Sequence, residues 1–404
     1  MLEFSRLPVS EPLKASSQIP ERADVVILGG GPAGTATALS LVGHGADVVL
    51  MERSSYEETR VGETFPPSIQ PVLARLDLWE DFLAAGYVPS RGVRCIWGSE
   101  QPYEQSFMFN PYGNGWHVDR RAFDASLARA AEKRGVCLRH GDRLLACERD
   151  SGAGWILHFV SNNTRFKIRA RFIVDGTGRA SAVAGRLGSV RTLQDHLVGV
   201  VGFFQGKTTD TKAEEYTLIE AARDGWWYSA PLPGNRLVVA YMTDADLCAR
   251  DAMRDLSHWS ARLCSARHTQ ERSAAFLLDG DIRVVPAYSS RVDPFYGRGW
   301  LAAGDAAITT DPLSGDGVFR ALLQGIRAAD AILSEPSADE SAFLLYARRI
   351  DEEFERYLQN LDAYYGRETR WVESAFWARR HARSQQRGRS TDNAKDSDHS
   401  VTAS

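Results

Sequence analysis

The chain has 404 residues, 44% of them hydrophobic and 25% charged, and its formal net charge at pH 7 is −4. This composition is ordinary for a globular protein, and the slight negative charge argues against a basic surface that recruits nucleic acid. No apolar run approaches the length of a membrane span and the N-terminus lacks the apolar core of a secretory signal, so we expect a cytoplasmic protein with neither a nucleic-acid nor a membrane partner.

The first predicted elements form a strand–helix–strand unit over residues 24–53. Residues Val25–Leu28 make a short apolar strand, and an Ala- and Leu-rich helix runs from about Ala33 to Gly43. A second apolar strand covers Val48–Met51. Together these elements predict a βαβ unit of the kind that binds dinucleotides.

Three glycines after the first strand carry the chemistry of this unit. Gly29, Gly31 and Gly34 have the G-x-G-x-x-G spacing, which permits a tight turn, a close approach of pyrophosphate and close helix packing. The helix N-terminus offers N–H groups to phosphates, and Glu52 is placed to accept hydrogen bonds from a ribose diol. The cofactor-binding residues predicted here are Gly29, Gly31, Pro32, Ala33, Gly34, Glu52 and Arg53.

The central part of the chain alternates between helix and strand. After the segment VGETFPPSIQPVL, Asp119 is expected to cap a helix that stops at Gly135. Strands follow over residues 143–147, 155–160 and 166–174, the first two joined as a hairpin, and residues 195–245 contain several more.

Two helices are predicted near the C-terminus. One spans residues 318–333. The other carries an apolar stripe at helical spacing, composed of Phe343, Tyr346, Ile350, Phe354, Tyr357, Leu361 and Tyr364. From Ser384 onward the sequence is polar and lacks aromatic residues, which is typical of a disordered tail.

Two further glycine-bearing motifs lie far downstream of the βαβ unit. In FIVDGTGRAS a strand ends at Asp175 and Gly176, and in WLAAGDAAITTDPLSGDGVFR a strand ends at Gly304 and Asp305 before a helix begins. An extended FAD molecule needs such additional contacts, whereas a nicotinamide dehydrogenase does not, so the three motifs predict bound FAD. The cofactor-binding residues predicted from these motifs are Asp175, Gly176, Gly304, Asp305, Pro312, Gly315, Asp316, Gly317 and Val318.

The predicted fold class is α/β, with a Rossmann-like FAD-binding domain interleaved with a mostly β substrate domain and followed by C-terminal helices. The predicted boundaries are a flexible arm at 1–22, the FAD-binding domain at 23–75, 105–185 and 285–335, the substrate domain at 76–104 and 186–284, the helices at 336–383 and the tail at 384–404. The five cysteines show neither C-x-x-C nor metal-ligand spacing, so no metal site is expected.

With these motifs the chain resembles the superfamily of FAD-dependent aromatic hydroxylases and flavin-dependent halogenases over residues 23–335. The resemblance implies a fold like that of p-hydroxybenzoate hydroxylase. It also implies that Arg120, in DRRAFD, contacts the flavin side of FAD.

A narrower resemblance rests on VGETFPPSIQPVL, NPYGNGWHVDRRAFD, GWWYSAPLP and RWVESAFWARRH. These segments are similar to the flavoprotein monooxygenases that mature tryptophylquinone enzymes, of the quinohemoprotein amine dehydrogenase and quinone-dependent amino-acid oxidase types. That similarity implies hydroxylation of a tryptophan side chain in a partner protein or peptide. The reaction would need O₂ and either NAD(P)H or reduced flavin supplied from outside.

The halogenases of the superfamily carry W-x-W-x-I-P and a lysine shortly after the G-E motif. Here the first motif reads WWYSAP, with Trp226 and Pro231 matching, and no lysine occurs from Val61 to Trp97. Ser90 and Arg91 stand where the lysine is expected. Arginine stays protonated at neutral pH and does not shuttle protons, so halogenation is disfavoured.

No catalytic residue is assigned, and four candidates are named. Glu63 is placed to contact the flavin ring or substrate, or else to act as a capping carboxylate; His117 is a possible base or a structural histidine. Trp226 and Tyr228 are candidates to line an aromatic pocket. Trp97, Trp116 and Trp227 are further candidates to line that pocket, although aromatic residues more often belong to the core.

Two alternatives to the protein-tryptophan hydroxylase remain open. One is a flavin-dependent hydroxylase or halogenase of a small natural-product aromatic. The other is a flavin-bearing assembly factor without turnover. The sequence leaves the oligomeric state undetermined.

Overall fold

The computed structural model describes residues 19–152, 154–209, 211, 213–334 and 341–400, with side chains as far as residue 387. Most of the expected N-terminal arm and the last four residues of the expected tail therefore lie outside the described residues. None of the helices in these ranges is long and apolar enough to cross a membrane.

The described strands are β1 Arg22–Leu28, β2 Val48–Glu52, β3 Thr64–Phe65, β4 Val88–Ser90, β5 Gly92–Ile96, β6 Tyr103–Ser106, β7 Gly115–His117, β8 Cys137–His140, β9 Arg143–Arg149, β10 Trp155–Ser161, β11 Thr164–Asp175, β12 Val190–Leu193, β13 Leu197–Gly206, β14 Tyr216–Ala222, β15 Gly225–Leu232, β16 Arg236–Asp244, β17 Phe276–Leu278, β18 Arg283–Pro286, β19 Ser290–Asp293, β20 Tyr296–Gly297, β21 Trp300–Ala302 and β22 Ile308–Thr309.

The described α-helices are α1 Pro32–Val42, α2 Ile69–Arg75, α3 Trp79–Ala84, α4 Arg120–Lys133, α5 Ala182–Arg186, α6 Ala245–Arg250, α7 Leu256–Cys264, α8 Arg267–Ser273, α9 Gly317–Leu333, α10 Ser341–Tyr365 and α11 Ala375–Ser400. Three short 3₁₀ turns occupy Gly178–Ala180, Gly304–Ala306 and Pro312–Ser314.

The predicted α/β class is confirmed, and two large sheets define it. The first has the order β20-β21-β11-β1-β2-β8, and the hairpin β9–β10 extends from β11. Strands β21, β11, β1, β2 and β8 run parallel, and near-continuous apolar runs such as Val25–Leu28 suit strands buried on both faces.

The second large sheet, here named the substrate sheet after the predicted substrate domain, has the order β17-β13-β16-β15-β14-β5-β6, with β18 also paired to β13. It is mostly antiparallel, although β14 and β5 run parallel. The predicted domain boundaries stay a prediction; the predicted boundary at residue 105 falls inside β6, which pairs with β5 of this sheet.

Helices α1 and α9 pack closely beside the first sheet. A Cβ added to Gly325 would lie 2.2 Å from the Ala33 carbonyl oxygen, so only glycine allows this contact. Thr37 Oγ1 lies 3.0 Å from the Gly325 carbonyl oxygen and ties the two helices together. This contact sets the N-termini of both helices beside the same edge of the sheet.

The C-terminal helices differ from the sequence-based expectation at one position. The apolar stripe of α10 is buried as predicted from Phe343 to Leu361, but Tyr365, 1% exposed, continues it instead of the half-buried Tyr364. Helix α11 is described as far as Ser400, and the disordered tail from Ser384 stays a prediction. Arg387 of this helix donates a hydrogen bond to Asp362 of α10 at 3.1 Å and so joins the two C-terminal helices.

The sequence analysis also missed several short elements. Helices α2 and α3, helices α6 to α8 and the small sheet β3-β7-β4 had no predicted counterpart. The small sheet places Gly62 and Glu63, which directly precede β3, beside the substrate sheet. These residues are part of the candidate active site.

Candidate active site

The three glycine-bearing turns meet at one edge of the first sheet. Strands β1, β11 and β21 are parallel neighbours, and Leu28, Asp175 and Ala302 are aligned across them. Because parallel strands end at the same edge, the turns that follow them converge there, where ligands of doubly wound folds bind.

The turns touch so closely that glycine is required. Gly29 has φ +99°, and a Cβ added to it would lie 2.2 Å from the Gly176 carbonyl oxygen. A Cβ at Gly34 would lie 1.9 Å from the Gly29 carbonyl oxygen. Gly29 therefore lets the first turn pack against the second motif, and Gly34 lets α1 pack closely against the first turn.

Gly304 joins the third motif to the first. It has φ +64°, and a Cβ added there would lie 2.9 Å from Ala33 Cβ. Its N–H donates to Gln324 Oε1 at 2.8 Å, inside the core. The third turn is thereby fixed against the N-terminal part of α1.

Other glycines face open space instead. A Cβ added to Gly31, Gly315 or Gly317 would meet no atom within 4 Å. Gly31 is the N-cap of α1, with Pro32 beginning the helix, and Gly317 begins α9. Two helix N-termini and an open backbone cradle fit the pyrophosphate and ring of FAD, because backbone N–H groups there are free to bind anions.

Glu52 lies at the end of β2 beside the first turn. It is 6% exposed, and its Oε2 accepts from the Gly30 N–H at 2.6 Å while Oε1 accepts from the Ser54 N–H at 2.9 Å. The carboxylate thus orients the glycine turn and retains lone pairs for a ribose diol. Arg53 is exposed at the surface.

Two residues that the sequence analysis missed complete this corner. The Tyr56 hydroxyl donates to the Gly30 carbonyl oxygen at 2.9 Å, and a Cβ at Gly30 would lie 2.1 Å from that hydroxyl. Arg60 donates to Asp124 Oδ2 at 2.8 Å and lies 3.6 Å from Glu52. No local motif marks these residues, because their partners are distant in sequence.

Asp175, a predicted cofactor-binding residue, makes its hydrogen bonds within the protein. Its carboxylate is fully buried, and Oδ1 accepts from Thr177 while Oδ2 accepts from the N–H groups of Val183 and Ala184 at 2.8 and 2.9 Å. Both oxygens are thus committed to the turn and to the start of α5. Its side chain therefore shapes the loop around Gly176.

The Asp305 carboxylate, by contrast, is accessible to a ligand. Its side chain is 46% exposed, with Arg179 at 3.6 Å. Arg191 donates to its backbone carbonyl oxygen at 2.8 Å and fixes the turn from behind. An exposed carboxylate on a fixed turn is suited to holding hydroxyl groups of a bound FAD.

Arg120 lies under the segment that precedes Glu63. Its Nη1 donates to the Val61 carbonyl oxygen at 2.7 Å, and its Nε and Nη2 donate to the buried Asp124 at 3.1 Å. A Cβ at Gly62, where φ is +99°, would lie 2.7 Å from Nη1. Arg120 therefore sets the conformation of this segment, and two of its five N–H donors are left for a flavin.

The loop before α9 faces this segment. A Cβ at Gly62 would lie 3.9 Å from Val318, which is 8% exposed. The loop bends at Gly315, which has φ +63°, and Asp316 accepts from Ser314 at 2.6 Å. The segment at 61–63 and the loop at 311–318 thus adjoin each other, and the region where they meet is named the cleft.

Glu63 is buried in this cleft. It is 3% exposed; its Oε2 accepts from the Gly62 N–H at 2.9 Å, and its Oε1 has no hydrogen-bond partner among the described residues. Burial raises the pKa of Glu63 to about 7, partly offset by backbone N–H donors and Arg120. A carboxyl group with a pKa near neutrality and one unpartnered oxygen is a candidate proton acceptor.

A buried polar chain runs from the small sheet to the substrate sheet. Thr64 Oγ1 lies 2.7 Å from the Tyr228 hydroxyl and 3.4 Å from Thr217 Oγ1, which lies 3.0 Å from His117 Nε2. Burial lowers the pKa of His117 to about 3, and the Arg272 guanidinium adds to the lowering. His117 is therefore neutral at working pH and serves as a structural partner of Thr217.

Three of the tryptophans that were candidates for an aromatic pocket are buried, and their role in a pocket stays a prediction. Trp226 is fully buried and its Nε1 donates to the Tyr365 hydroxyl at 3.0 Å, while Trp97, 4% exposed, packs against it at 6.3 Å between ring centroids. Trp227 points to the opposite face of the sheet, against Trp259. These three tryptophans are core residues.

The two remaining aromatic candidates differ from each other. Trp116 packs edge-on against Phe82 on α3, so it belongs to a separate aromatic cluster. Tyr228 remains at the cleft, because its hydroxyl contacts Thr64 and the Glu63 carboxylate is close enough to raise its pKa further after the effect of burial.

No described lysine side chain lies at the cleft. Ser90, where the halogenase lysine is expected, is fully buried, and Arg91 is exposed and paired with Glu215 at 2.6 Å. The described lysines are exposed at the end of α4, in the β10–β11 hairpin and at the end of β13: Lys133, Lys167 and Lys207.

Comparisons with known proteins agree with this geometry. The family model described as FAD binding domain matches residues 22–335. LodB of Marinomonas mediterranea, whose name describes it as an FAD-dependent oxidoreductase, is 31% identical over 366 residues, which cover 90% of this chain and 98% of LodB.

Two solved structures have the same fold. The myxobacterial chondrochloren halogenase CndH has a TM-score of 0.80 and 27% identity, covering 89% of this chain and 86% of its own. The peptidyl tryptophan dihydroxylase QhpG has a TM-score of 0.69 and 23% identity, covering 89% of this chain and 78% of its own.

Proposed function

The chain belongs to the FAD binding domain family and to the superfamily of FAD-dependent aromatic hydroxylases and halogenases, and on that premise we propose that this FAD-dependent oxidoreductase hydroxylates an indole ring. The target we propose is a tryptophan side chain of a partner protein during tryptophylquinone cofactor biogenesis. Bound and reduced FAD would supply the activation of O₂, with electrons from NAD(P)H or from externally supplied reduced flavin.

One observation carries hydroxylation over halogenation: the cleft presents a carboxyl group and no described lysine. Glu63 is buried beside Tyr228 and Thr64, whereas Ser90 and Arg91 replace the lysine that halogenases of this superfamily use. A carboxylate accepts a proton from a ring that has gained a hydroxyl, but it does not carry a halogen in the way an amine does.

In this proposal the residues of the cradle and of the cleft have separate roles. The cradle of Gly31, Gly315 and Gly317 holds the cofactor, and Glu63 accepts the ring proton through Oε1. Tyr228 and Thr64 offer hydroxyl groups that orient the indole beside Glu63. The surrounding aromatic core excludes water, which protects the reactive state of the cofactor.

Support for a protein target comes from the narrower sequence resemblance. The segments GWWYSAPLP and RWVESAFWARRH resemble maturation monooxygenases, and QhpG is named as essential for tryptophylquinone cofactor biogenesis. At 23% identity QhpG shares the fold alone, so the partner protein is part of the proposal.

Halogenation is the second candidate, because the halogenase CndH has the higher TM-score and identity of the two structures compared. Incubation of the purified chain with FAD, an enzymatic flavin reductase, O₂ and bromide separates the two. The substrates are free tryptophan and a tryptophan-containing peptide from an enzyme encoded beside the gene. The proposal expects ¹⁸O from ¹⁸O₂ in the peptide; bromine in either substrate would overturn it.

A matched variant tests the role of the carboxyl group. Glu63→Gln keeps the shape and removes the proton acceptor, so product should fall about 100-fold while FAD remains bound. Consumption of reduced flavin without any modified substrate, in the wild type as well, would favour an assembly factor without turnover.

A further inference from the structure

A buried chain of hydrogen bonds joins the substrate sheet to the loop before α9. Trp226 Nε1 donates to the Tyr365 hydroxyl at 3.0 Å, and that hydroxyl donates to Asp311 Oδ2 at 2.7 Å. Trp226 lies on β15, Tyr365 ends α10, and Asp311 precedes Pro312. The exposed fraction of each of the three side chains is at most 1%.

The donors and acceptors available on the three side chains fix the direction of this chain of hydrogen bonds. An indole N–H only donates, so the Tyr365 oxygen must accept from Trp226. The single proton of the Tyr365 hydroxyl is then free for Asp311 alone. Asp311 therefore terminates the chain as an acceptor, a role that its ionised carboxylate fills best.

Asp311 passes this constraint to the loop backbone. Its Oδ1 accepts from the Leu313 N–H at 2.9 Å, and its own N–H donates to the Tyr357 hydroxyl at 2.7 Å. Ser314 donates to the Asp311 carbonyl oxygen at 3.0 Å. The start of the loop that ends at Gly315 and Gly317 is thus held from both sides.

A buried cation lies beside Tyr365, the middle residue of this chain of hydrogen bonds. The Arg380 guanidinium lies 4.9 Å from the centre of the Tyr365 ring and pairs with Asp244 at 2.8 Å. Arg380 is 4% exposed. Its positive charge favours the ionised form of Asp311, which opposes the effect of burial on the pKa of that carboxyl group.

We infer that Trp226, Tyr365 and Asp311 form a positioning relay that sets the loop at 311–317 against bound FAD. Through this relay the substrate sheet and the C-terminal helix α10 both determine where the open backbone at Gly315 and Gly317 lies. The inference rests on the proposed binding of FAD in that cradle, and it assigns Tyr365 and Asp311 a role that acts through the loop.

Tyr365→Phe tests the relay, because it removes one hydroxyl and keeps the ring. The matched control is Tyr364→Phe, one residue earlier on α10, whose hydroxyl contacts Tyr103 and Cys95 and makes no described contact with the loop. Purified apoprotein is titrated with FAD, and quenching of flavin fluorescence gives Kd. Circular dichroism of the bound flavin reports its environment, and thermal unfolding of the apoprotein reports stability.

We expect Tyr365→Phe to raise the Kd for FAD about tenfold and to change the visible circular dichroism of the bound flavin. Tyr364→Phe should leave both unchanged, even if its apoprotein is less stable. Equal Kd values and identical flavin spectra in the two variants would overturn the relay. A wild-type protein that takes up no FAD would instead defeat the cofactor assignment.

A second variant keeps the inference testable if Tyr365→Phe does not fold. Trp226→Phe removes the first donor and leaves the bond from Tyr365 to Asp311 in place, so the Kd should rise by a smaller factor, about threefold. Where Tyr365→Phe does fold, its effect and that of Trp226→Phe on Kd should not add in the double variant, because the relay is already broken. Additive changes in Kd would show independent contributions and contradict the relay.

Discussion

Gly31→Val is expected to weaken FAD binding strongly while it changes the stability of the apoprotein only slightly. Gly31 has φ −76° and ψ −176°, an extended conformation that valine adopts readily, and a Cβ added there meets nothing within 4 Å. The apoprotein therefore has room for a Cβ at this position. In the proposed cofactor placement, the methyl groups of valine take the space of the FAD pyrophosphate.

The expected magnitudes follow from the same geometry. Valine is a poorer N-cap than glycine, so the free energy of unfolding of the apoprotein should fall by no more than about 1 kcal/mol. Loss of two charge-assisted hydrogen bonds to phosphate costs about 3 kcal/mol or more, so the Kd for FAD should rise at least about 100-fold.

The control is Gly43→Val, at the exposed C-terminal end of the same helix, where φ is −61°. Both variants are compared with the wild type by urea unfolding of the apoprotein and by fluorescence titration with FAD. The control should bind FAD as the wild type does. If Gly31→Val also retained the wild-type Kd, the pyrophosphate would not lie at α1 and the cofactor placement would be refuted.

Three other outcomes are expected. Gly29→Ala should prevent folding, seen as loss of soluble protein and of a thermal transition, because its Cβ would lie 2.2 Å from a carbonyl oxygen at φ +99°. Asp175→Asn should lower the apoprotein's free energy of unfolding by about 2–4 kcal/mol in urea melts, since an amide NH₂ would face N–H donors; an unchanged midpoint would contradict the turn-holding role. The pKa of Glu63 is raised to about 7, so its contribution to stability is present at low pH and is lost as pH rises through 7. Relative to Glu63→Gln, the wild-type apoprotein should therefore lose up to about 3 kcal/mol between pH 4 and pH 8, and a constant difference would show that Glu63 is not buried.

The sequence was most informative where a motif is local. The spacing of Gly29, Gly31 and Gly34 between an apolar strand and an Ala-rich helix predicted β1, α1 and β2 within three residues at each boundary. The two downstream glycine motifs also follow strands of the same parallel sheet. A strand end followed by glycine needs only neighbouring residues for its recognition, so the cradle could be predicted.

The aromatic segment of β15 shows what could not be predicted. In a strand that is half buried, alternation of polar and apolar residues tells the inner face from the outer face, but Trp226, Trp227 and Tyr228 are all aromatic. Only the structure shows that Trp227 faces Trp259, while Trp226 reaches Tyr365, 139 residues away. The relay partner is on a helix that no strand motif identifies.

The carboxylates near the cleft differ in how much of their hydrogen-bonding capacity the protein itself satisfies, and this difference separates structural from chemical roles. Asp175 and Glu52 use both oxygens to fix backbone turns, so both carboxylates have donors before any ligand binds, and Glu52 has lone pairs left for a ribose diol. Glu63 is equally buried, yet the described residues leave its Oε1 without a donor. A buried carboxylate in that position is unfavourable in the apoprotein, which is why its pKa rises to about 7. A donor that arrives from the cleft, such as an indole or flavin N–H, relieves this cost, so the instability of Glu63 in the apoprotein itself favours binding of a ligand with an N–H group.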